Sequence, residues 1–137
     1  MNKIQRAVLF AAEKHQTQLR KGTNVPYIVH PIGVMEILMR ANASENAIVA
    51  GILHDTIEDT NTTYEELRKT FGKRVADIVR AASEPDKSLP WETRKTNAIA
   101  ALRKCRDEDI LAVIFADKTH NLQSIHHDWL QIDDDES

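Results

Sequence analysis

The feature that most constrains this chain is an apolar segment, Ala47–Leu53, that ends abruptly in His54 and Asp55. The segment has no polar face, so a helix that carries it must be buried on nearly every side. A carboxylate at the end of a buried helix is costly unless a partner neutralises it, and a bound cation would do so. The segment therefore predicts a buried helix that ends at a polar site.

Composition indicates one ordinary soluble domain, since 42% of the 137 residues are hydrophobic and 28% are charged. No apolar run approaches the roughly 20 residues of a membrane helix, so we expect no membrane partner. The charged N-terminal segment lacks a small-residue cleavage site, which favours a structural helix over a signal peptide. Cys105 is the single cysteine, which excludes an internal disulfide and favours a reducing, cytoplasmic location. The net charge of -3 argues against nucleic acid as a partner.

Helical periodicity dominates the chain and predicts an all-α fold, a bundle of about seven helices. Ser44, Thr63 and Asp107 are residue types that favour the N-cap, and each precedes a helical pattern. Pro31 suits the first turn of another helix. We expect Pro85 to end a further helix, because proline cannot continue one.

The last predicted helix carries a stripe that changes midway from aliphatic to polar. Helical spacing places six residues on this face: Ile110, Val113, Ile114, Asp117, Asn121 and Ser124. Polar side chains that point inward must meet each other or a ligand. We therefore expect a pocket beside the polar half of this helix.

Two imidazoles and two carboxylates form the candidate ligand set of one divalent metal: His30, His54, Asp55 and Asp117. Nitrogen and oxygen donors together favour Mn²⁺, Fe²⁺ or Zn²⁺ over Mg²⁺. His54 and Asp55 would point about 100° apart on a regular helix, so both reach one ion only near a helix end or bend. Each residue also has an ordinary structural alternative, as a helix-entry histidine, a buried ion-pair partner or a hydrogen-bonded pair.

Glu58 and Asp59 follow within one turn of this pair. Two carboxylates beside a cation can position an attacking water and pass a proton to the leaving group. The alternative is a solvated turn before Asn61. A basic cluster further along the chain could hold an anion or form a solvated face: Lys87, Arg94 and Lys95.

The order His…His-Asp…Asp on an all-α chain resembles the HD phosphohydrolase superfamily. The closer resemblance is to the hydrolase domain of RelA/SpoT-type proteins and to stand-alone small alarmone hydrolases. It rests on HQTQLRKGTNVPYIVHP, GILHDTIEDTNTTYEEL, FGKRVADIV, DKSLPWETRK and FADKTHNL, which appear in the family's order. The resemblance implies an HD-domain helical bundle and a Mn²⁺-dependent enzyme. Its reaction would be hydrolysis of the 3′-pyrophosphate of guanosine tetra- or pentaphosphate (ppGpp or pppGpp).

Position by position, the resemblance implies that the four candidate ligands hold the metal. It assigns water activation and proton transfer to Glu58 and Asp59. Arg20 would stack on the purine face of the nucleotide. Four positions match substrate-contacting residues: Arg20, Lys21, Asn121 and Ser124.

Two features depart from the family's pattern. Thr119 and Gln123 stand where the family's motif, closer to ADKLHNLR, has leucine and arginine. Family members also continue into further helical sequence, whereas here IDDDES follows. We therefore expect an HD hydrolase domain over residues 1–128 and a solvated acidic tail over residues 129–137. One wall of the pocket would then be missing or be supplied by a neighbouring subunit of a homo-oligomer.

Two other functions stay open. The chain could be an HD-domain phosphatase acting on another nucleotide, such as NADPH or a deoxynucleotide. It could also be a non-catalytic nucleotide-binding domain. Release of pyrophosphate rather than orthophosphate separates the first alternative from the leading hypothesis, and binding of ppGpp without turnover identifies the second. The remaining histidines are expected to be structural or at the surface: His15, His120, His126 and His127.

Overall fold

The computed structural model describes residues 1–83 and 87–136, with side chains described as far as residue 126. Within these residues the chain forms eight helices, and the sole extended pairing is a single bridge between Leu19 and Pro26. The helices are α1 (Lys3–Lys14), α2 (Val29–Arg40), α3 (Glu45–Leu53), α4 (Thr56–Asp59), α5 (Tyr64–Phe71), α6 (Lys73–Ala82), α7 (Trp91–Lys104) and α8 (Glu108–Glu136). The all-α prediction is confirmed. The prediction of about seven helices did not include α4, which is a single turn of 4 residues.

The predicted N-caps begin the helices as expected. Ser44 Oγ accepts a hydrogen bond from the N–H of Ala47 at 3.1 Å, and Thr63 Oγ1 accepts one from the N–H of Glu66 at 3.1 Å. Asp107 Oδ1 accepts from two N–H groups in the first turn of α8. These bonds satisfy N–H groups that have no partner within the helix, and such a cap contributes about 1 kcal/mol.

The predicted buried helix, α3, is the centre of the fold. All residues of Ala47–Leu53 are buried, and α3 packs against α1, α2, α6 and α8. Each fully buried Ile, Leu or Val side chain contributes about 1.5–3 kcal/mol. Gly51 lies where α2 crosses closely, because a Cβ at this position would collide with Leu38. The glycine thus lets α2 and α3 approach until their polar ends meet.

α7 packs less tightly than the other helices, since none of its residues is buried. A cavity of about 600 Å³ separates it from α6 and α8. Apolar side chains such as Leu89, Leu102 and Ile114 line this cavity, which also reaches Asp117 and Lys118. The cavity therefore lies mainly beside the aliphatic half of the α8 stripe and reaches the polar half only at Asp117, so a pocket beside the polar half stays a prediction.

α8 continues along the backbone to Glu136. The side chains of the predicted tail, residues 129–137, are not among those that the structure describes. The predicted domain boundary after residue 128 therefore stays a prediction. Pro85 also lies outside the described residues, and α6 ends before it at Ala82. In the described part of the chain, no helix is both long and apolar enough to cross a membrane.

Candidate metal centre and active site

Four polar side chains from three parts of the fold converge on one point. They are His30 in the first turn of α2, His54 and Asp55 between α3 and α4, and Asp117 in α8. One donor atom from each lies within 4.8 Å of the other three. His30 Nε2 is 2.9 Å from Asp117 Oδ1, and His54 Nε2 is 2.9 Å from Asp55 Oδ2. The structure thus brings together all the residues that the sequence analysis grouped as metal ligands.

The adjacent pair can converge because the helical path breaks between its members. α3 ends at Leu53, His54 is its C-cap, and α4 begins only at Thr56. Asp55 (φ -96°, ψ -2°) stands between the two helices. This geometry fulfils the condition stated from the sequence, that both side chains reach one ion only at a helix end or bend.

The hydrogen bonds of the imidazoles leave ring nitrogens facing this point. His54 Nδ1 lies 2.6 Å from the carbonyl oxygen of Gly51, which only accepts, so Nδ1 carries the proton of the neutral ring. Its Nε2 lone pair then faces Nε2 of His30 at 3.3 Å. Lone pairs and carboxylate oxygens around one point repel each other unless positive charge lies between them. The donor set therefore fits a divalent cation.

The electrostatics of the cluster favour positive charge at its centre. Burial lowers the pKa of His54, but the Asp55 and Asp117 carboxylates outweigh burial and hold this pKa well above its ordinary value. Burial raises the pKa of Asp117, yet hydrogen bonds from His30 and His54 leave it far below the ordinary value. The pKa of Asp55 is likewise lowered, since His54 and Tyr27 outweigh its burial. A metal ion that binds here would replace a proton.

Tyr27 supports one of the carboxylates, a contact that sequence reasoning missed. Its hydroxyl donates a hydrogen bond to Oδ2 of Asp55. Burial, followed by the Asp55 charge, raises the pKa of Tyr27 well above its ordinary value, so the hydroxyl stays a donor. The ring also packs against His15 and His30, with centroid distances of 4.8 and 5.9 Å. The sequence feature that could have indicated this contact is the position of Tyr27, three residues before His30 in PYIVHP.

The acidic pair, Glu58 and Asp59, lies in α4 directly beyond Asp55. Lys87 Nζ lies 3.5 Å from Glu58 Oε2 and 3.8 Å from Asp59 Oδ1. Gln18 Nε2 donates a long hydrogen bond to Asp59 Oδ2 at 3.4 Å. The pair therefore forms an ion-paired helical turn beside the candidate metal ligands.

Arg20 links the loop before α2 to the polar half of α8. Its Nη1 donates to Ser124 Oγ at 2.7 Å, and its Nη2 donates to Asn121 Oδ1 at 3.0 Å. Asn121 Nδ2 in turn donates to Asp117 Oδ1 at 3.3 Å. Of the predicted substrate contacts, Lys21 stands apart: it is exposed and makes no hydrogen bond or ion pair within the described residues. The others form one cluster beside a candidate metal ligand.

His120 contacts the candidate ligand His30. The Nδ1 atoms of the two rings lie 2.7 Å apart, and the ring centroids are 4.9 Å apart. Burial and the neighbouring His30 and Arg20 lower the pKa of His120 to about 4, so its ring is neutral near pH 7. The sequence predicts a structural or surface position for His120, whereas in the structure its ring contacts a candidate ligand. Its spacing of three residues from Asp117 on α8 was the signal for a place in the site.

Comparison with known proteins identifies the family. The family model described as an HD domain matches residues 7–134. This chain belongs to the HD-domain family. The resemblance that the sequence motifs predicted is thereby confirmed, and the convergent residues of this HD domain include the His54-Asp55 pair of its motif.

Two relatives differ in how much of their length this HD domain covers. A Danio rerio protein named guanosine-3′,5′-bis(diphosphate) 3′-pyrophosphohydrolase MESH1 is 43% identical over 122 residues, which are 87% of this chain and 67% of that protein. A Myxococcus xanthus protein named GTP pyrophosphokinase is 38% identical over 131 residues, 90% of this chain. The HD domain spans only 17% of the Myxococcus protein.

A solved structure shares the fold. It is that of a metazoan ortholog of SpoT that hydrolyzes ppGpp, and its TM-score is 0.83 at 33% sequence identity. The match covers 92% of this chain and 71% of that chain. At this similarity the two chains share the fold over the matched region.

Proposed function

We propose that this HD domain hydrolyses ppGpp and pppGpp and releases their 3′-pyrophosphate with the help of a divalent metal ion. The observation that carries the proposal is the convergence of the four donor atoms within 4.8 Å, with Glu58 and Asp59 in the next helical turn. The Danio rerio relative is named for this reaction, and the metazoan SpoT ortholog hydrolyzes ppGpp. Both relatives support the substrate as well as the chemistry.

Mn²⁺ is the cation that we propose for the centre, held by the two imidazoles and two carboxylates. Mixed nitrogen and oxygen donors suit Mn²⁺, Fe²⁺ and Zn²⁺, and the resemblance to alarmone hydrolases favours Mn²⁺ among them. When bound, the ion would lower the pKa of a water ligand and neutralise charge that develops on phosphorus. The partly exposed carboxylates, with side-chain exposures of 16% for Asp55 and 20% for Asp117, leave an approach for substrate.

The acidic pair performs the proton transfers in this proposal. The water oxygen bonds to the phosphorus next to the ribose, and the bond from that phosphorus to the 3′ oxygen breaks. Pyrophosphate leaves, and GDP remains from ppGpp. One of Glu58 and Asp59 accepts the proton of the attacking water, and the other supplies a proton to the 3′ oxygen. Lys87, within 4 Å of both carboxylates, limits their repulsion and holds their positions.

The cluster around Arg20 binds the nucleotide in this proposal. Its guanidinium is planar and always charged, so it can stack on a purine or pair with a phosphate. Ser124 and Asn121 already hold it in one orientation, which reduces the entropy lost when substrate binds. A guanine nucleotide is also a cytoplasmic metabolite, which supports a cytoplasmic location.

We extend the proposal to a homo-oligomer, because α8 carries large exposed apolar side chains on one side. Phe115, Leu122 and Ile125 are 61%, 67% and 64% exposed. Exposed apolar groups that cluster in this way are typical of an interface. Light scattering should report a dimer or larger species, and Leu122→Glu should shift it to monomer. A monomer at all concentrations would contradict the extension without affecting the proposed chemistry.

The proposed reaction is tested with metal-free protein that is reloaded separately with Mn²⁺, Fe²⁺, Zn²⁺ or Mg²⁺. We expect equal amounts of pyrophosphate and GDP from ppGpp, with the highest rate in Mn²⁺. Orthophosphate from NADPH or a deoxynucleotide, without pyrophosphate from ppGpp, would instead identify a different nucleotide phosphatase. Binding of ppGpp without product under every metal would identify a non-catalytic domain.

A further inference from the structure

We infer that His120 is a positioning residue, which fixes the ring of His30 so that its Nε2 lone pair faces the metal. The inference rests on the metal centre of the proposed function, and it is independent of which nucleotide is cleaved. Two contacts carry it: the short distance between the two Nδ1 atoms, and the space that Gly33 leaves for the His120 ring.

The direction of the hydrogen bond follows from the surroundings of His30. One proton lies between two Nδ1 atoms that are 2.7 Å apart. If His120 donated it, the neutral His30 ring would carry its own proton on Nε2, which faces Asp117 Oδ1 at 2.9 Å and His54 Nε2 at 3.3 Å. A protonated Nε2 cannot bind a metal. In the metal-bound state that we propose, the proton of the His30 ring therefore lies on Nδ1, which donates to Nδ1 of His120.

The ring of His54, the other candidate imidazole ligand, is also fixed by a hydrogen bond from its Nδ1 atom, but the acceptor is a backbone carbonyl. His54 lies at the C-terminal end of α3, where carbonyl groups lack helical partners, and it donates to the carbonyl of Gly51. His30 lies in the first turn of α2, where the helix presents N–H groups instead. The corresponding carbonyl, that of Tyr27, already accepts the backbone N–H of His30 at 3.0 Å, and Nδ1 of His30 faces another helix instead. The His120 ring of α8 supplies the acceptor.

Gly33 makes room for this acceptor. It lies three residues after His30 on α2, so the two positions share a face of the helix. A Cβ at Gly33 would collide with the Cδ2 and Nε2 atoms of the His120 ring. Any larger side chain would displace the ring from His30. Glycine at this position is thus explained by the contact between His120 and His30.

Replacements of His120 separate positioning from packing. In His120→Asn the amide Oδ1 takes the place of Nδ1 and still accepts, whereas His120→Leu fills similar space without an acceptor. We expect Zn²⁺ affinity, measured by competition with a chelator, to fall about 10- to 100-fold in His120→Leu. It should stay within a few-fold of wild type in His120→Asn. His126→Leu is the matched control, because His126 is exposed on the same helix; its affinity should not change.

Equal Zn²⁺ affinity in wild type and His120→Leu, or equal losses in His120→Leu and His120→Asn, would overturn the inference. A second measurement needs no variant. In the Zn²⁺-loaded wild-type protein, long-range ¹⁵N–¹H spectra should place the proton of His30 on Nδ1 and that of His120 on Nε2. The opposite assignment would also overturn it. Neither readout involves a nucleotide, so the absence of ppGpp hydrolysis would refute the proposed function and leave this result standing.

Discussion

Nε2 of His54 lies 2.9 Å from Oδ2 of Asp55, although the two residues are neighbours in the chain. Neighbours on a regular helix diverge by about 100°, and the end of α3 at Leu53 removes this constraint. The buried body of α3 holds this helix end in place. The candidate centre therefore depends on where one helix stops as much as on which residues follow it.

Asp55→Asn should release the metal and abolish hydrolysis, because it removes one negative charge from the donor set while keeping the size of the side chain. Elemental analysis and the pyrophosphate assay measure the two effects. Asp77→Asn is the control, since Asp77 pairs with Lys73 rather than with the candidate ligands, and it should keep both metal and activity. A full complement of metal in Asp55→Asn would refute the ligand assignment.

Glu58→Gln should keep the metal but slow turnover by about 10²-fold or more, the scale of a lost general base. Steady-state kinetics at saturating ppGpp, together with metal content, measure this. The matched control is Glu65→Gln on α5, whose carboxylate pairs with Arg68. If Glu58→Gln turned over at the wild-type rate, Glu58 would have only an ion-pairing role with Lys87.

Arg20→Ala should mainly raise KM, because Arg20 is proposed to bind the nucleotide rather than to react. Lys21→Ala should raise KM less, since Lys21 is exposed and lies apart from the cluster. Arg80→Ala provides a control at an exposed arginine over the ring of Tyr64. A loss confined to kcat in Arg20→Ala would contradict the binding role.

Gly51→Ala should destabilise the fold by about 1–3 kcal/mol, the usual cost of overpacking a core. The added methyl group would collide with Leu38 and push α2 away from α3. Denaturant unfolding measures the change in free energy. The double variant Gly51→Ala/Leu38→Ala should lose less than the sum of the two single variants, because the smaller side chain leaves room for the methyl group. Simple additivity would show that the two positions do not interfere.

Acid should weaken the start of α8 through Asp107. Hydrogen bonds from Arg74 and from the N–H of Ile110 lower the pKa of Asp107 to about 2. In the unfolded chain this pKa is about 4. The carboxylate therefore stabilises the fold fully above about pH 4, and this contribution disappears as the pH falls through about 2. The pair is partly exposed, so we expect at most about 1 kcal/mol.

Unfolding of wild type and Asp107→Asn at several pH values tests this contribution. The amide can still cap the helix, so the variant removes the charge and keeps the cap. The free-energy difference between the two proteins should shrink between pH 4 and pH 2. A difference that stays constant over this range would show that the charge of Asp107 contributes nothing.

The sequence was sufficient for features that depend on local pattern. The buried segment before His54, the caps at Ser44 and Asp107, and the polar half of α8 each follow from residue types at helical spacing. The convergence of the four candidate ligands was also predicted, because a buried polar side chain needs a partner and the family's motif supplied the others; that they bind a metal stays a prediction. The buried segment, the caps and the polar stripe require no knowledge of how the helices pack, whereas the ligand grouping depended on the resemblance to the family.

Other features depend on which helix lies beside which, and local pattern does not contain this information. His120 meets His30 across 90 positions of sequence, and Tyr27 meets Asp55 across 28. The reason for a glycine at position 33 becomes clear only from the structure, in which the His120 ring packs against it. α4 was missed for a simpler reason, since one turn is too short to display a helical period.

His30 and Asp117 are 87 positions apart in the chain. An ion held between them would tie the second helix to the last one and to the central helix, much as a covalent cross-link would. By mass action, free metal at 1,000 times its dissociation constant would add about 4 kcal/mol to the stability of the folded state. The melting temperature of the protein would then rise with the concentration of free metal. A chelator would lower the stability of the whole fold as well as remove the activity.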